Sequence, residues 1–489
     1  MKRKSVLTLI LCCLLLAGCA GGNQIETEVT ENTTDTAASS ETTAPAIAYD
    51  YPDKDYEGYE FVFLNQDQCS WANPLIAPEE SNGELINDAM FERNSRISEK
   101  FNITISDYKV TSDEIPTLVK NTVNSGDDAY DVALFPYHQL SAVLLDGYLV
   151  DLNTISSLRL SEPWWDQLVV EAATIEDKCY LASSDITFFP FEATWVVYFN
   201  EDRFEELGFE QPYDLVRNGE WTIDKLAEFC VAAADLNGQD SFKYDESGSA
   251  NYGIITHSQI VQTLLFGGDV TLIDQSGDVP VFDGESDRAY SLYEKIATLL
   301  GTEGAHVDRD KEGGVDTDQN SFCRSAFKTG RFMFMSETLG HIAGLRDFND
   351  SFGVLPVPKY DASQDGYRSM MATWGTLMTT IPATASDPER TGVILDALAY
   401  DSHMNLLEPY YDTYLTQKGA RNEDSAEMLQ IVRDTRVINV GSMYGWTTSV
   451  LSSITTQLEN GNSAVSSVIA SAKSSIEALI TKTMESMSD

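Results

Sequence analysis

Asn65, Gln66, Asp67 and Trp71 place two amides, a carboxylate and an indole within seven residues, just after the segment EFVFL at 60–64. Amides and carboxylates fix hydroxyl groups by hydrogen bonds, while an indole offers a flat face to apolar C–H surface. The set therefore suits a small polyhydroxylated molecule held in a preformed cleft. Tyr137 and His138 follow a second such segment, YDVALF at 130–135, in the same way. Other chemistries fail at the level of motif. The histidines at 138, 257, 306, 341 and 403 form no helical pair and no HExxH, so transition-metal chemistry is unsupported. There is no GxxxxGK[ST] phosphate loop and no GxSxG nucleophile elbow, and no catalytic residue is assigned.

One acidic segment has metal-like spacing. From Asp308 to Gln319, oxygen side chains fall at positions 1, 3, 5 and 9, with glycine at 6 and valine at 8, as in an EF-hand loop. Position 12 is Gln319 where that loop needs a bidentate Glu, and Arg309 and Lys311 lie inside. The expectation is a solvated acidic loop and no cofactor, with Ca2+ in 308–319 as the alternative.

Aspartate and glutamate number 77 against 32 lysines and arginines, a formal charge of −45 over 489 residues. Phosphate backbones and anionic headgroups are bound by clustered basic residues, so nucleic acid and direct adsorption to lipid are excluded as partners. A neutral or cationic solute is compatible. The 43% hydrophobic content is enough for a large core.

The N-terminus addresses the compartment. Lys2, Arg3 and Lys4 precede an apolar run from Val6 to Leu16, too short to span a bilayer and suited to a signal peptide. The run ends in Leu16-Ala17-Gly18-Cys19, which resembles the lipobox of bacterial lipoproteins. That resemblance implies cleavage after residue 18 and acylation of Cys19, so that lipid alone attaches the protein to the membrane, facing the extracellular side or the periplasm. Loss of the three basic residues takes the charge from −45 to −48. Cys69, Cys179, Cys230 and Cys323 remain, widely spaced, and are read as free or loosely paired thiols. Residues 19–55, rich in Thr, Ser, Glu and Ala, bury too little to repay ordering and read as a disordered tether.

The groups at 65–71 and 137–138 need elements to hold them. Strand-like segments at 60–64, 102–105 and 130–135 alternate with helical patterns at 85–97, 117–123 and 138–145. Ser81 to Glu84 has capping-box spacing. This alternation predicts an α/β fold with a parallel sheet, in which ligands bind beyond the carboxyl ends of the strands. Thr222 is expected to cap a helix over 223–234, Asp387 to open another with Pro388 in its first turn, and 424–433 and 463–480 to be surface helices.

The order of these segments resembles the extracellular solute-binding proteins of ABC importers, carbohydrate-binding family 1. The likeness is carried by YDVALF at 130–135 with LLDGYLVDL at 144–152, WVVYFNEDRFEELG at 195–208 and GEWTIDKLAEF at 219–229. It continues in Phe266-Gly267-Gly268-Asp269 before Ile273-Asp274, in FKTGRFMFM at 327–335 and in FGVLPVP at 352–358. Together these span about 56–400, with a looser likeness over 421–441.

The resemblance implies a two-lobed periplasmic-binding-protein-like fold with a hinge between lobes, one holding 56–190 plus 340–400 and the other 195–335 plus 403–489. It implies a monomer that clamps a carbohydrate, an oligosaccharide above all, and presents it to ABC permease subunits. It also places Glu192 and Trp195 where the chain first crosses between lobes, Glu337 at the return crossing, Asp269 on the second lobe, Trp374 where the chain meets the cleft again, and Trp446 on the tail. With Asn65, Asp67, Trp71 and Tyr137 these form the expected ligand-binding set. Trp195 also fits a core position in an alternating strand, and Trp164, Trp165 and Trp221 are read as structural. Three alternatives stay open: the same fold holding a polyol, a cationic compound or a peptide; a surface glycan-active enzyme; and an adhesive lipoprotein with no ligand.

Overall fold

The computed structural model describes residues 49–67, 75–257, 259–312, 319–373, 376–407, 410 and 423–488. Two sheets organise them. The first is four-stranded, in the order Leu377–Thr380, Val132–Pro136, Tyr59–Gln66, Ile103–Val110. Its three strands before residue 140 run parallel, and Leu377–Thr380 runs antiparallel at the edge, with Met378 opposite Phe135. The expected strands over 60–64, 102–105 and 130–135 are thus present and adjacent. Phe61, Phe63, Val132, Leu134 and Phe135 fill the core beneath them.

Helix Leu85–Phe101 covers this sheet. It starts beyond the Ser81–Glu84 spacing: Glu84 sits at the cap position without a side-chain bond, and the Asp88 carboxylate accepts from the backbone N–H groups of Asn82 and Gly83 instead. The segment after Pro136 forms a 3-10 turn over Tyr137–Ala142 where a helix over 138–145 was expected. Helix Ile223–Ala233 is capped by Thr222, whose hydroxyl accepts from Lys225 N–H, and helix Pro388–Asn405 by Asp387, which accepts from Arg390 N–H.

The second sheet has five strands, in the order His306–Asp308, Tyr252–Thr256, Phe332–Thr338, Trp195–Asn200, Phe352–Leu355. The first three of these are parallel, and Trp195–Asn200 is antiparallel to both its neighbours. Phe352–Leu355 therefore belongs to the second sheet, which corrects the assignment of all of 340–400 to the first lobe. Its apolar residues pair with Val197–Asn200, leaving Leu377 onward to return to the first sheet. Helices Thr448–Leu458 and Ser466–Ser488 pack on one another, and the former also packs on Asp287–Gly301 and Ile260–Gly267 of the second lobe.

Two segments join the sheets side by side. Ala182 pairs with Thr379 at the first sheet, and Thr194 pairs with Met371 at the second. Arg93 anchors the start of this crossing. Fully buried, it donates to Ile186 O at 2.9 Å, Ile76 O at 3.1 Å, Ser402 Oγ at 3.1 Å and Asn94 Oδ1 at 3.0 Å. A buried cation persists only with its donors engaged, and burial still pulls its pKa down to about 10. No described helix is long and apolar enough to cross a membrane.

Candidate ligand-binding site

Parallel strands bring their carboxyl ends to one edge, and antiparallel strands contribute their amino ends to it. On the second sheet that rule collects His257 after Tyr252–Thr256, Arg309 after His306–Asp308, Ser336, Glu337 and Thr338 at the end of Phe332–Thr338, and Trp195 at the start of its strand. Trp195 lies directly opposite Thr338 in the register.

These side chains are buried together. The Trp195 and His257 rings are 4.7 Å apart at 49°. Glu337 Oε2 lies 2.8 Å from His341 Nδ1 and 3.7 Å from His257 Nε2. Burial opposes ionisation of Glu337, but the two imidazoles outweigh it and hold the carboxyl down at about 2. Burial pushes His257 down to about 4, against the pull of Glu337. Among the described residues, Trp195 Nε1, Ser336 Oγ, Glu337 Oε1 and Thr338 Oγ1 are buried without a hydrogen-bond partner. Native proteins pair nearly all such atoms, so the Trp195 donor and the Ser336 and Thr338 hydroxyls, which share one face of the sheet while Glu337 points to the other, mark a place for a polar solute.

The first sheet carries strand-end groups of its own. Asn65 is fully buried, its Nδ2 donating to Asp107 Oδ2 at 3.3 Å and its Oδ1 accepting from Gln66 N–H at 2.8 Å. Asp67 is exposed at the strand end, its own N–H donating to Val110 O. Tyr137 is buried, and its hydroxyl donates to the Asn439 carbonyl, tying this edge to the C-terminal segment. Glu192 lies on the crossing in the short helix Phe189–Glu192 and accepts from the Tyr410 hydroxyl at 2.9 Å.

Two expected residues are not brought to these edges. Asp269 follows helix Ile260–Gly267, eight residues or about 12 Å from the edge where that helix begins. It is exposed, takes a positive φ of 62° and stands 3.6 Å from Arg368 Nε, so it closes a turn. Trp446 is 2% exposed, stacks on Tyr444 at 4.9 Å and donates its indole N–H to Thr483 Oγ1 of helix Ser466–Ser488. Trp71 and Trp374 lie outside the described residues.

Sequence reasoning passed over His257 and Arg309. The strand-end rule carried to YGIIT at 252–256 names His257. At the acidic loop, Arg309–Glu312 forms a short helix, and Asp308 accepts from Asp310 N–H and faces Lys311 at 3.4 Å. Residues 313–318 of that loop lie outside the described residues. Cys179, Cys230 and Cys323 are free and buried, with their thiol pKa values pushed up by burial.

The comparisons agree with this architecture. The GacH receptor of Streptomyces glaucescens, solved unliganded and with acarbose, superposes with a TM-score of 0.55 at 14% identity, over 87% of this chain and 99% of that one. The cyclic α-maltosyl-1,6-maltose binding protein from Arthrobacter globiformis gives 0.55 at 12% identity, over 86% and 99%. UgpB from Mycobacterium tuberculosis, solved with glycerophosphocholine, gives 0.55 at 13% identity, over 87% and 99%. At such identities the likeness establishes the two-lobed fold. No curated protein matches the sequence. The model of the bacterial extracellular solute-binding protein family matches residues 91–405, about two thirds of the chain. With the strand edges that carry the site lying on either side of the crossing, this chain belongs to the family of bacterial extracellular solute-binding proteins.

Proposed function

We propose that the protein captures a carbohydrate, an oligosaccharide in particular, and delivers it to an ABC permease without altering it chemically and without a metal cofactor. The observation that carries the reading is the set of unpartnered buried atoms on the Trp195 face of the sheet: an indole N–H and the hydroxyl oxygens of Ser336 and Thr338. Sugar hydroxyls donate and accept, so one sugar edge suits the Trp195 donor and the two hydroxyls that share its face of the sheet. Ligand touching both lobes favours the closed form by the difference in contacts, and the permease reads that form. Cys19 carries the lipid that keeps the protein at the membrane surface, on the extracellular or periplasmic side, as a monomer.

The buried Glu337 carboxyl, held low by His341 and His257, favours a second reading in which the solute is cationic or zwitterionic. The structural neighbour UgpB was solved with a ligand of that class. A thermal-shift screen against mono- and oligosaccharides, polyols, choline compounds and peptides separates the two. A ligand at a hundred times its Kd adds about 2.7 kcal/mol of stability. A shift confined to glycans supports the sugar receptor, and a shift with choline compounds alone replaces it.

A further inference from the structure

A cavity of ≈ 280 Å³ lies along the crossing segment, lined by none of Trp195, His257, Glu337 or His341. Its apolar walls include Trp165 and Phe191, and Thr187 also lines it. Its polar groups are arranged as donor–acceptor couples: Asp166 Oδ2 lies 2.8 Å from Arg436 Nη1, and Asp185 Oδ2 lies 2.7 Å from His403 Nδ1. Arg433 also lines it, so two carboxylates stand against two guanidiniums and the lining is balanced in charge.

That balance selects the occupant. A simple anion would meet two carboxylates and a simple cation two guanidiniums, whereas a neutral hydroxyl both donates and accepts and fits beside either pair. The volume falls just under the roughly 300–1,000 Å³ of pockets for drug-sized ligands, which suits one ring or a short polyol. The walls come from several bodies. Asp166 belongs to the first lobe, as does His403, which the expected division gave to the other lobe but which lies in helix Pro388–Asn405 packed on Leu85–Phe101; Asp185 belongs to the crossing. Arg433 and Arg436 belong to the tail segment whose helix Glu423–Asp434 packs on strand Phe352–Leu355 of the second sheet. An occupant would therefore bias the lobe-to-lobe geometry from outside the strand-edge site.

We propose that this crossing cavity is a second binding site, for a neutral polyhydroxylated molecule the size of one monosaccharide. The proposal goes beyond the reading of the strand-edge site and does not depend on which solute that site takes.

Calorimetric titration of the protein with D-glucose, D-galactose and sorbitol tests it. At least one probe should bind, weakened about tenfold or more by His403→Gln and by Thr187→Leu. No binding of any probe overturns the proposal, as does binding kept at full strength in both cavity variants. A measurement on the unaltered protein guards against misfolded variants. The bound probe should slow modification of His403 by diethyl pyrocarbonate, read by mass spectrometry. Undiminished modification at saturating probe overturns the proposal.

Discussion

His341 Nδ1 stands 2.8 Å from Glu337 Oε2, with both side chains almost wholly shut from solvent. Together with His257 they form an acid-sensitive core at the strand edge. Unfolded, His257 takes up its proton near pH 6.5, but in the fold it does so only near 4, so the stability it carries is full above 6.5 and drains toward 4. Glu337, depressed from its ordinary 4.5 to about 2, carries stability that is full above 4.5 and lost toward 2. Each contribution is on the order of 3 kcal/mol. The melting temperature should fall continuously from pH 6.5 to 2, and His257→Gln should remove the upper part of the fall. A flat profile between pH 7 and 4 would contradict the account.

On the proposed reading the indole N–H of Trp195 serves the ligand, while its ring packs on His257. Trp195→Phe keeps the ring against His257 and deletes the donor. Affinity for the screened ligand should drop by about 1 kcal/mol or more with little change in melting temperature. Lowered stability at unchanged affinity would return Trp195 to the core. Trp71→Ala and Trp374→Ala should likewise each weaken ligand by more than about 1 kcal/mol, by calorimetry, if they are platforms.

Asp396 is buried and accepts from the indoles of Trp164 and Trp165, both at 2.9 Å, and from Arg159 Nε at 2.8 Å. Asp396→Ala strands two indole donors in the interior. It should cost about 3–5 kcal/mol in urea unfolding, with Asp396→Asn costing less.

Trp446→Phe loses the bond to Thr483. A stability loss of about 1 kcal/mol with unchanged ligand affinity is expected. A selective loss of affinity would restore Trp446 to the site.

Cys19→Ser should leave the protein without lipid and released into the medium or periplasm. Continued membrane retention, seen by fractionation, would remove the lipobox reading.

Much of the fold was legible because it is written in local patterns. Alternating strand and helix segments gave the parallel first sheet, Thr222 and Asp387 gave their caps, and the strand-end rule gave Asn65, Asp67 and Tyr137 their edge. The excess of 77 acidic over 32 basic residues argues against nucleic acid as a partner. What local pattern does not carry is which long-range strands pair, since that depends on burial summed over segments far apart in the chain. Only the tertiary structure placed Phe352–Leu355 beside Trp195–Asn200 in the second sheet. Pairing of Tyr252–Thr256 with Phe332–Thr338 likewise brought His257 to Glu337, 80 residues away in sequence, where burial sets the state of both. The same holds for Asp269 and Trp446. Their residue types suit a binding site, but the length of one helix and a hydrogen bond to Thr483 put them elsewhere.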